Sequence, residues 1–231
     1  MVSDLDLALT TTRAVRRRLD FDRPVGIEVL DECLTLALQA PTGGNRQDWR
    51  FLVIRDPNVR GEVAAVYERA YDEHVAAAIA RGRDDPEVRG RLGAGDTPEQ
   101  AARMDRILTG AEHLARNLHR VPALVIACAT RPDPQQGGGG TVSAVYGSVY
   151  PAVWSLQLAL RSRGLGSIIT TLHLHEADEV ATLLGIPEDV TQVCLLPVAY
   201  THGTTFRQAD RQPTTEVVFA DRWGQPWLGS G

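Results

Sequence analysis

The spacing of apolar residues along the chain predicts a series of amphipathic helices. Apolar side chains recur every three or four positions over 27–39 and again over 149–160, which places them on one helical face. A first helix is predicted over about 5–18. Further helices are predicted over 58–80, 97–120 and 177–184. Charged or glycine-rich composition predicts loops at 81–97 and 132–140.

Short continuous apolar runs predict buried strands between these helices. The runs are 51–54, 122–129, 167–171 and 193–199. Short strands among longer helices favour an α+β layered fold. No linker-like composition divides the chain, so we expect one domain over residues 1–231. The irregular tail from about residue 201 carries Trp223 and Trp227, and apolar aromatics there suggest that it wraps another surface, most simply a second subunit.

The composition excludes several classes of protein. The chain has 231 residues, 43% hydrophobic and 23% charged, as in an ordinary globular domain. A net charge of −5 provides no positive field for nucleic acid, so we expect no nucleic-acid partner. All 24 basic residues are arginine. Without lysine, the chain has neither a Walker A phosphate loop nor the amine of a pyridoxal phosphate enzyme, and any bound anion must contact arginine or backbone N–H groups.

The sequence also predicts a soluble cytoplasmic protein with no membrane association. The N-terminus lacks the basic and apolar regions of a signal peptide. The longest apolar run, 121–129, has nine residues, whereas a bilayer span needs about 20. Three cysteines without a C-x-x-C pair indicate a reducing compartment, and we expect Cys33 and Cys128 to be inert core thiols.

Two segments carry residues suited to binding a phosphate and a planar ring. Four arginines lie within residues 13–18, and guanidinium offers phosphate a bidentate fork. A solvated face at a helix end is the alternative interpretation, because helix C-termini favour cations. Within residues 40–49, two glycines allow close backbone approach, and Asn45 and Gln47 suit an imide edge. An ordinary helix-to-strand turn is the alternative there.

A third segment makes the order of motifs recognisable. Gly164-Leu165-Gly166-Ser167 has no G-x-G-x-x-G, so a Rossmann dehydrogenase fits poorly. Arg13-Ala14-Val15-Arg16, the segment Ala40-Pro41-Thr42-Gly43-Gly44-Asn45-Arg46-Gln47-Asp48-Trp49, the L-G-S segment, and Arg207 to Arg211 follow one another in that order. Over about residues 10–220 this order resembles the FMN-dependent nitroreductase family. Ala14 and Thr42 replace the family's usual serines, and Asp48 stands where proline is usual.

The resemblance implies an FMN site built from these segments. The first arginines would contact the phosphate, ribityl chain or ring O2, and the late arginines would complete the phosphate grip. The 41–47 loop would reach an FMN held mainly by the other subunit, and residues 169–171 would pack beside the ring, with the Thr171 N–H facing N5. The implied cofactor-binding residues are Arg13, Ala14, Arg16, Pro41, Thr42, Gly43, Asn45, Gln47, Ile169, Thr170, Thr171, Arg207 and Arg211.

The resemblance also implies a fold and an activity. The fold would have three layers, with a small central mixed or antiparallel sheet surrounded by helices, in a homodimer with a swapped C-terminal tail over 201–231. NADPH or NADH would pass hydride through FMN N5 to a nitroaromatic, quinone or similar acceptor by a ping-pong scheme. No side-chain acid or base is implied, and Arg16 would stabilise the reduced ring. Separately, residues about 67–118 are longer than a simple connection needs, and we expect this helical lid to cover the acceptor pocket and set acceptor preference.

Other interpretations remain open. A same-fold enzyme with a specialised tailoring role is one, although the 43–45 loop differs from the dehalogenating and flavin-destroying versions. The heterocycle oxidases rely on a lysine that this chain lacks. A flavin-binding redox sensor without turnover is another. His173 and His175 precede Glu176, but two histidines without a third ligand favour surface or helix-entry residues, and we expect no metal.

Overall fold

The computed structural model describes residues 3–80, 97–131 and 137–227. The chain divides into two compact units, one of residues 12–204 and one formed by its two ends, up to Thr11 and from Thr205. Most of the predicted loops at 81–97 and 132–140 lies outside the described residues. The single domain over 1–231, the lid over 67–118 and the tail over 201–231 stay predictions.

Within the described residues, the larger unit is built on an antiparallel sheet of five strands. They are β1 (Leu19–Asp20), β2 (Trp49–Ile54), β3 (Ala123–Ala129), β4 (Leu165–Ser167) and β5 (Thr191–Thr201). The order is β1-β5-β3-β2, and β4 also pairs with β5. The predicted strands at 51–54, 122–129 and 193–199 are confirmed. The fourth is shifted, because β4 ends at Ser167 and beyond it Thr170 forms an isolated bridge with Leu195.

Helices occupy most of the remaining described chain. They are α1 (Asp4–Thr11), α2 (Ile27–Ala37), α3 (Pro57–Tyr71), α4 (Ala77–Ala80), α5 (Pro98–Asn117), α6 (Gly138–Ser162), α7 (Ala177–Leu184) and α8 (Thr214–Val217). A π-helical segment, Asp72–Ala76, joins α3 to α4, and 3-10 turns occupy Gly43–Asn45, Leu118–Arg120 and Leu172–Glu176. None of these described helices is long and apolar enough to span a bilayer.

The core lies on both faces of the sheet. On one face, α2 and α6 pack together over alternate residues of β3 such as Val125. Leu124 and Ile126 point to the opposite face and are also fully buried. Because both faces are covered, β3 has a continuous apolar sequence instead of an alternating one. Cys33 and Cys128 are buried free thiols, as predicted.

Local chemistry sets several helix ends where the sequence predicts them. Asp56 begins α3 by accepting hydrogen bonds from the backbone of Asn58 and Val59 at 2.9 and 3.1 Å. Thr97 and Gln100 form a reciprocal capping box at the start of α5. Gly185 ends α7 with a left-handed φ of 64°.

The first helix is shorter than predicted. It ends at Thr11 instead of Arg18, and the hydroxyls of Thr10 and Thr11 donate back to the carbonyls of Asp6 and Leu7 at 2.7 and 2.6 Å. Such bonds compete with the helical ladder, and β-branched residues weaken it further. Residues 13–18 therefore lie outside any helix, and the helix-end interpretation of their arginines is wrong.

Candidate functional site

A cavity of about 250 Å³ lies where the arginine segment meets the chain beyond β4. We name it the Arg16 cavity. Its lining is Arg16, Tyr67, Tyr71, Val75, Ala111, Leu114, Ile168, Ile169, Thr170, Thr171, Leu172 and His175. The structure thus brings Arg16 together with Ile169, Thr170 and Thr171, four of the predicted site residues.

Gly166 allows the arginine segment to lie against β4. The Val15 N–H donates to the Ser167 carbonyl at 3.0 Å, and Ala14 forms a parallel bridge with Ser167. A Cβ at Gly166 would stand 2.6 Å from Thr201 Cγ2 and 3.1 Å from Val15 Cβ. No side chain fits in that space, so glycine is required for this close approach.

Arg16 contributes a half-buried positive charge to the cavity. Its Cδ lies 3.3 Å from the position that a Cβ on Gly110 of α5 would take, so the aliphatic stem packs closely against that helix. Burial lowers the pKa of Arg16, and the nearby Tyr67 opposes that effect. The guanidinium remains charged at neutral pH. Across the described residues, Arg16 forms no ion pair with a carboxylate, so its charge is available to an anionic or electron-rich ligand.

Two tyrosines of α3 form one wall of the cavity. The Tyr67 hydroxyl lies 2.8 Å from the Thr170 hydroxyl, and burial raises the pKa of Tyr67, so that this pair stays protonated at neutral pH. Tyr71 lies under the Arg116 guanidinium, which is 5.5 Å from the ring centre. Arg116 in turn pairs with Asp72 at 2.6 Å. The wall is therefore held in place by contacts outside the cavity.

The 40–49 segment lines a second cavity, of about 440 Å³, together with α6. Thr42 and Gly43 line it, and the Gly43 N–H donates to the Ser148 hydroxyl at 3.2 Å. Asn45 and Gln47 have left-handed φ angles of 54° and 52°, and the Gln47 amide donates to Asn45 Oδ1 at 3.1 Å. Such backbone strain in residues other than glycine is concentrated at functional sites.

Comparison with known proteins identifies the family. A model of the Nitroreductase family matches residues 9–200. The chain belongs to the nitroreductase family. This family member is 29% identical over 192 residues to the iodotyrosine deiodinase of Thermotoga neapolitana, covering 83% of this chain and 86% of that protein. It is 24% identical over 200 residues to an NADH dehydrogenase of Thermus thermophilus, covering 86% and 87% of the two chains.

Solved structures confirm the predicted nitroreductase-like α+β fold. An oxidised iodotyrosine deiodinase bound to FMN and 3-iodo-L-tyrosine superposes with a TM-score of 0.63 at 24% identity, covering 94% of this chain and 98% of that one. A nitroreductase-like protein from Bacillus cereus gives a TM-score of 0.64 at 18% identity, covering 95% and 97%.

The remaining predicted residues of the larger unit do not line the Arg16 cavity. Arg13 is half-buried and Ala14 exposed, and neither lines it. Thr42 and Gly43 line the second cavity, whereas Pro41, Asn45 and Gln47 are exposed on the loop. Arg207 and Arg211 are exposed residues of the smaller unit, where Arg211 donates to the Asp210 carbonyl at 3.1 Å. The roles of these residues in cofactor binding stay predictions.

Sequence reasoning missed several contributors to this nitroreductase-family site. Gly110 packs against the stem of Arg16, and a glycine inside a helical pattern was the available signal. Arg18 lies two residues after Arg16, but it donates to the carbonyls of His202 and Gly203 at 2.8 and 2.7 Å. His175 lines the cavity, although its sequence position suggested only a surface or helix-entry residue.

Proposed function

We propose that this chain is an FMN-dependent oxidoreductase that transfers hydride from NADPH or NADH to an electron-poor acceptor such as a nitroaromatic or a quinone. The observation that carries the proposal is the half-buried guanidinium of Arg16, which faces a partly apolar cavity without a carboxylate partner in the described chain. A related structure, the iodotyrosine deiodinase, contains FMN, and that likeness supports the same cofactor here.

The residues of the Arg16 cavity fit the ring system of FMN. Ile169 and Leu172 offer apolar surface to a flat ring, and Thr170 and Tyr67 offer hydroxyls at its edge. Arg16 offers a cation to the ring oxygens or the phosphate.

The cavity is open and accommodates part of such a cofactor. We infer that the rest of the site comes from the 41–47 loop of a second copy and from Arg207 and Arg211, which would make the protein a homodimer.

The protein's own contribution to the reaction is binding, orientation and charge. When bound, FMN supplies the capacity to accept a hydride and to return two electrons to an acceptor. Arg16 favours negative charge close to it, because a fixed cation in a partly desolvated cavity stabilises an anion more than water does. The Tyr67–Thr170 pair fixes a hydroxyl at the wall, and Leu172 adds apolar surface beside it. Nicotinamide and acceptor would use the one cavity in turn, which gives ping-pong kinetics.

Reductive dehalogenation of a halogenated phenol is a second candidate. The 29% identity to the Thermotoga neapolitana deiodinase over most of both chains favours it. The two candidates share the cofactor and differ in the acceptor. The reduced protein is incubated anaerobically with 3-iodo-L-tyrosine and the iodide is measured. Release of iodide favours dehalogenation, and its absence favours a nitroaromatic or quinone acceptor.

The test is a visible absorption titration with FMN, followed by anaerobic addition of NADPH or NADH. The parent chain is expected to bind FMN, and one nicotinamide should bleach its band. Arg16→Gln should weaken FMN binding roughly 10- to 100-fold, the effect of losing a hydrogen bond to a charged group. Arg17→Gln, which alters an exposed neighbour, is the matched control and should bind like the parent.

Three outcomes would count against the proposal in different ways. Equal FMN affinity in the parent and Arg16→Gln would remove the Arg16 cavity as the cofactor site. Absence of FMN binding by the parent would refute the cofactor. Bound FMN that neither nicotinamide reduces would refute the oxidoreductase cycle and favour a redox sensor.

A further inference from the structure

Three side chains that commonly ligate metals meet beside the Arg16 cavity. Glu73 and His74 belong to the π-helical segment between α3 and α4, and Glu176 ends the 3-10 turn before α7. One ligand atom from each of the three lies within 4.8 Å of the other two. The fold thus joins residues from two separate elements into one potential coordination set.

The element that carries Glu176 is packed against the core. The turn Leu172–Glu176 packs on α3, and within it His173 is fully buried. The helix α7 follows the turn directly, and its residue Val180 is buried in the core. Short π-helical segments inside α-helices occur frequently at functional sites. Ligands on such elements are better positioned than ligands on a long loop, which lowers the entropy lost on binding.

A second imidazole connects the set to the Arg16 cavity. The rings of His74 and His175 stack with their centroids 3.8 Å apart and their planes at 16°. His175 lines the Arg16 cavity, and so does Val75, the neighbour of His74. The stacking restrains the His74 ring, and the ligand set lies at the rim of the cavity instead of on a remote surface.

The local charges also favour a cation. Glu73 and Glu176 are two carboxylates within a few ångströms of one another, and their mutual repulsion is relieved by a bound positive ion. Arg69 of α3 is the nearby positive side chain that interacts with both, but its guanidinium is ion-paired with Glu179. A small divalent ion would therefore compensate charge that Arg69 neutralises only in part.

We propose that Glu73, His74 and Glu176 form a binding site for a divalent transition-metal ion, preferably zinc, at the rim of the Arg16 cavity. One imidazole and two carboxylates with a water molecule complete four-coordinate zinc, the arrangement of open sites. Imidazole selects zinc, cobalt or nickel over magnesium and calcium. Ligand atoms on tetrahedral zinc lie roughly 3.3 Å apart, and rotation of the two glutamate side chains towards His74 would bring the ligand atoms from within 4.8 Å to that distance. The set differs from the one weighed in the sequence, because His173 is buried and Glu73 and His74 take its place.

Zinc binding to the full chain, carrying no histidine tag, tests the proposal without flavin or activity. Equilibrium dialysis against zinc chloride should give one zinc per chain, and cobalt chloride should give a visible ligand-field band. His74→Phe keeps a ring against His175 and removes a ligand, and Glu176→Gln removes a charge at constant shape. Each should weaken zinc binding at least 10-fold. Circular dichroism verifies that both variants are folded.

The matched controls are exposed residues of the same types outside the set, His119→Gln and Glu188→Gln, and both should bind zinc like the parent. No stoichiometric zinc on the parent chain overturns the proposal. So does zinc binding that His74→Phe leaves unchanged. Loss in His74→Phe with full binding in Glu176→Gln also overturns it, because the metal would then use a different ligand set. These results are independent of whether FMN binds, so failure here and failure of the proposed oxidoreductase are distinguishable.

Discussion

The burial of His173 couples the stability of the larger unit to pH. Its side chain is fully buried, and neither ring nitrogen has a hydrogen-bond partner in the described part of the chain. Burial lowers its pKa from the ordinary 6.5 to about 4. Between these values the unfolded chain binds a proton that the folded chain does not. The free energy of unfolding therefore falls as the pH decreases from about 6.5 towards about 4, and the effect of His173 levels off below that range.

The expected size of this effect follows from the gap between the two pKa values. At about 1.4 kcal/mol per pH unit, the whole gap corresponds to roughly 3 kcal/mol, of which about 2 kcal/mol should be lost between neutral pH and about pH 4.5. The assay is urea unfolding of the parent and of His173→Leu at both pH values, at one protein concentration. Leucine has a similar size and no titrating nitrogen, so the variant should lose about 2 kcal/mol less than the parent.

The variant also has an expected effect at neutral pH. Removing two unpaired buried nitrogens should raise the free energy of unfolding by about 1 kcal/mol. His119→Gln, at an exposed position, is the control and should keep the pH dependence of the parent. Asp72 does not interfere with this comparison. The hydrogen bond from Arg116 lowers the pKa of Asp72 below 3.8, so the contribution of that carboxylate to the free energy of unfolding is lost only at a pH below about 4.5. An identical pH dependence in the parent and His173→Leu would refute the reasoning.

Two further substitutions test the packing around the Arg16 cavity. Gly166→Ala should lower the free energy of unfolding by about 1–3 kcal/mol, because its Cβ would overlap Thr201 Cγ2 at 2.6 Å. Gly61→Ala in α3, with open space around the new Cβ, should have no such cost, and equal urea midpoints for the two variants would contradict the packing. Tyr67→Phe should cost about 1 kcal/mol in the same assay through its bond to Thr170, and an unchanged midpoint would argue against that bond.

Local chemistry explains which parts of the fold could be predicted from the sequence. Thr97 before a proline, and Gly185 after an apolar periodic run, act on the backbone within a few residues, so the ends of α5 and α7 were predictable. The central strand β3 was predictable for a similar reason, since burial on both faces leaves a continuous apolar run. The end of α1 was not, because threonine hydroxyls and the helical ladder compete closely for the same carbonyls.

The arginine segment shows why the site was only partly predictable. Arg16 and Arg18 are chemically identical and two residues apart, yet one lines a cavity and the other binds the carbonyls after β5. Their partners are distant in sequence, at Gly110 and at His202, so no local pattern distinguishes the two arginines. Only the folded chain beyond β5 reveals that Arg18 donates to backbone carbonyls there.

The L-G-S motif acts on the cavity through packing. Gly166 lies within β4, where its missing side chain lets Val15 come close and donate to the Ser167 carbonyl. That contact fixes the chain one residue before Arg16, while Gly110 of α5 confines the stem of Arg16 on the other side. Two glycines, which have no side-chain functional groups, therefore leave the space that Val15 and the stem of Arg16 occupy. In sequence, the L-G-S motif resembles a ligand-binding motif. At Gly166, however, it is a requirement for close backbone approach, and the charge that it helps to position, that of Arg16, lies in another segment of the chain.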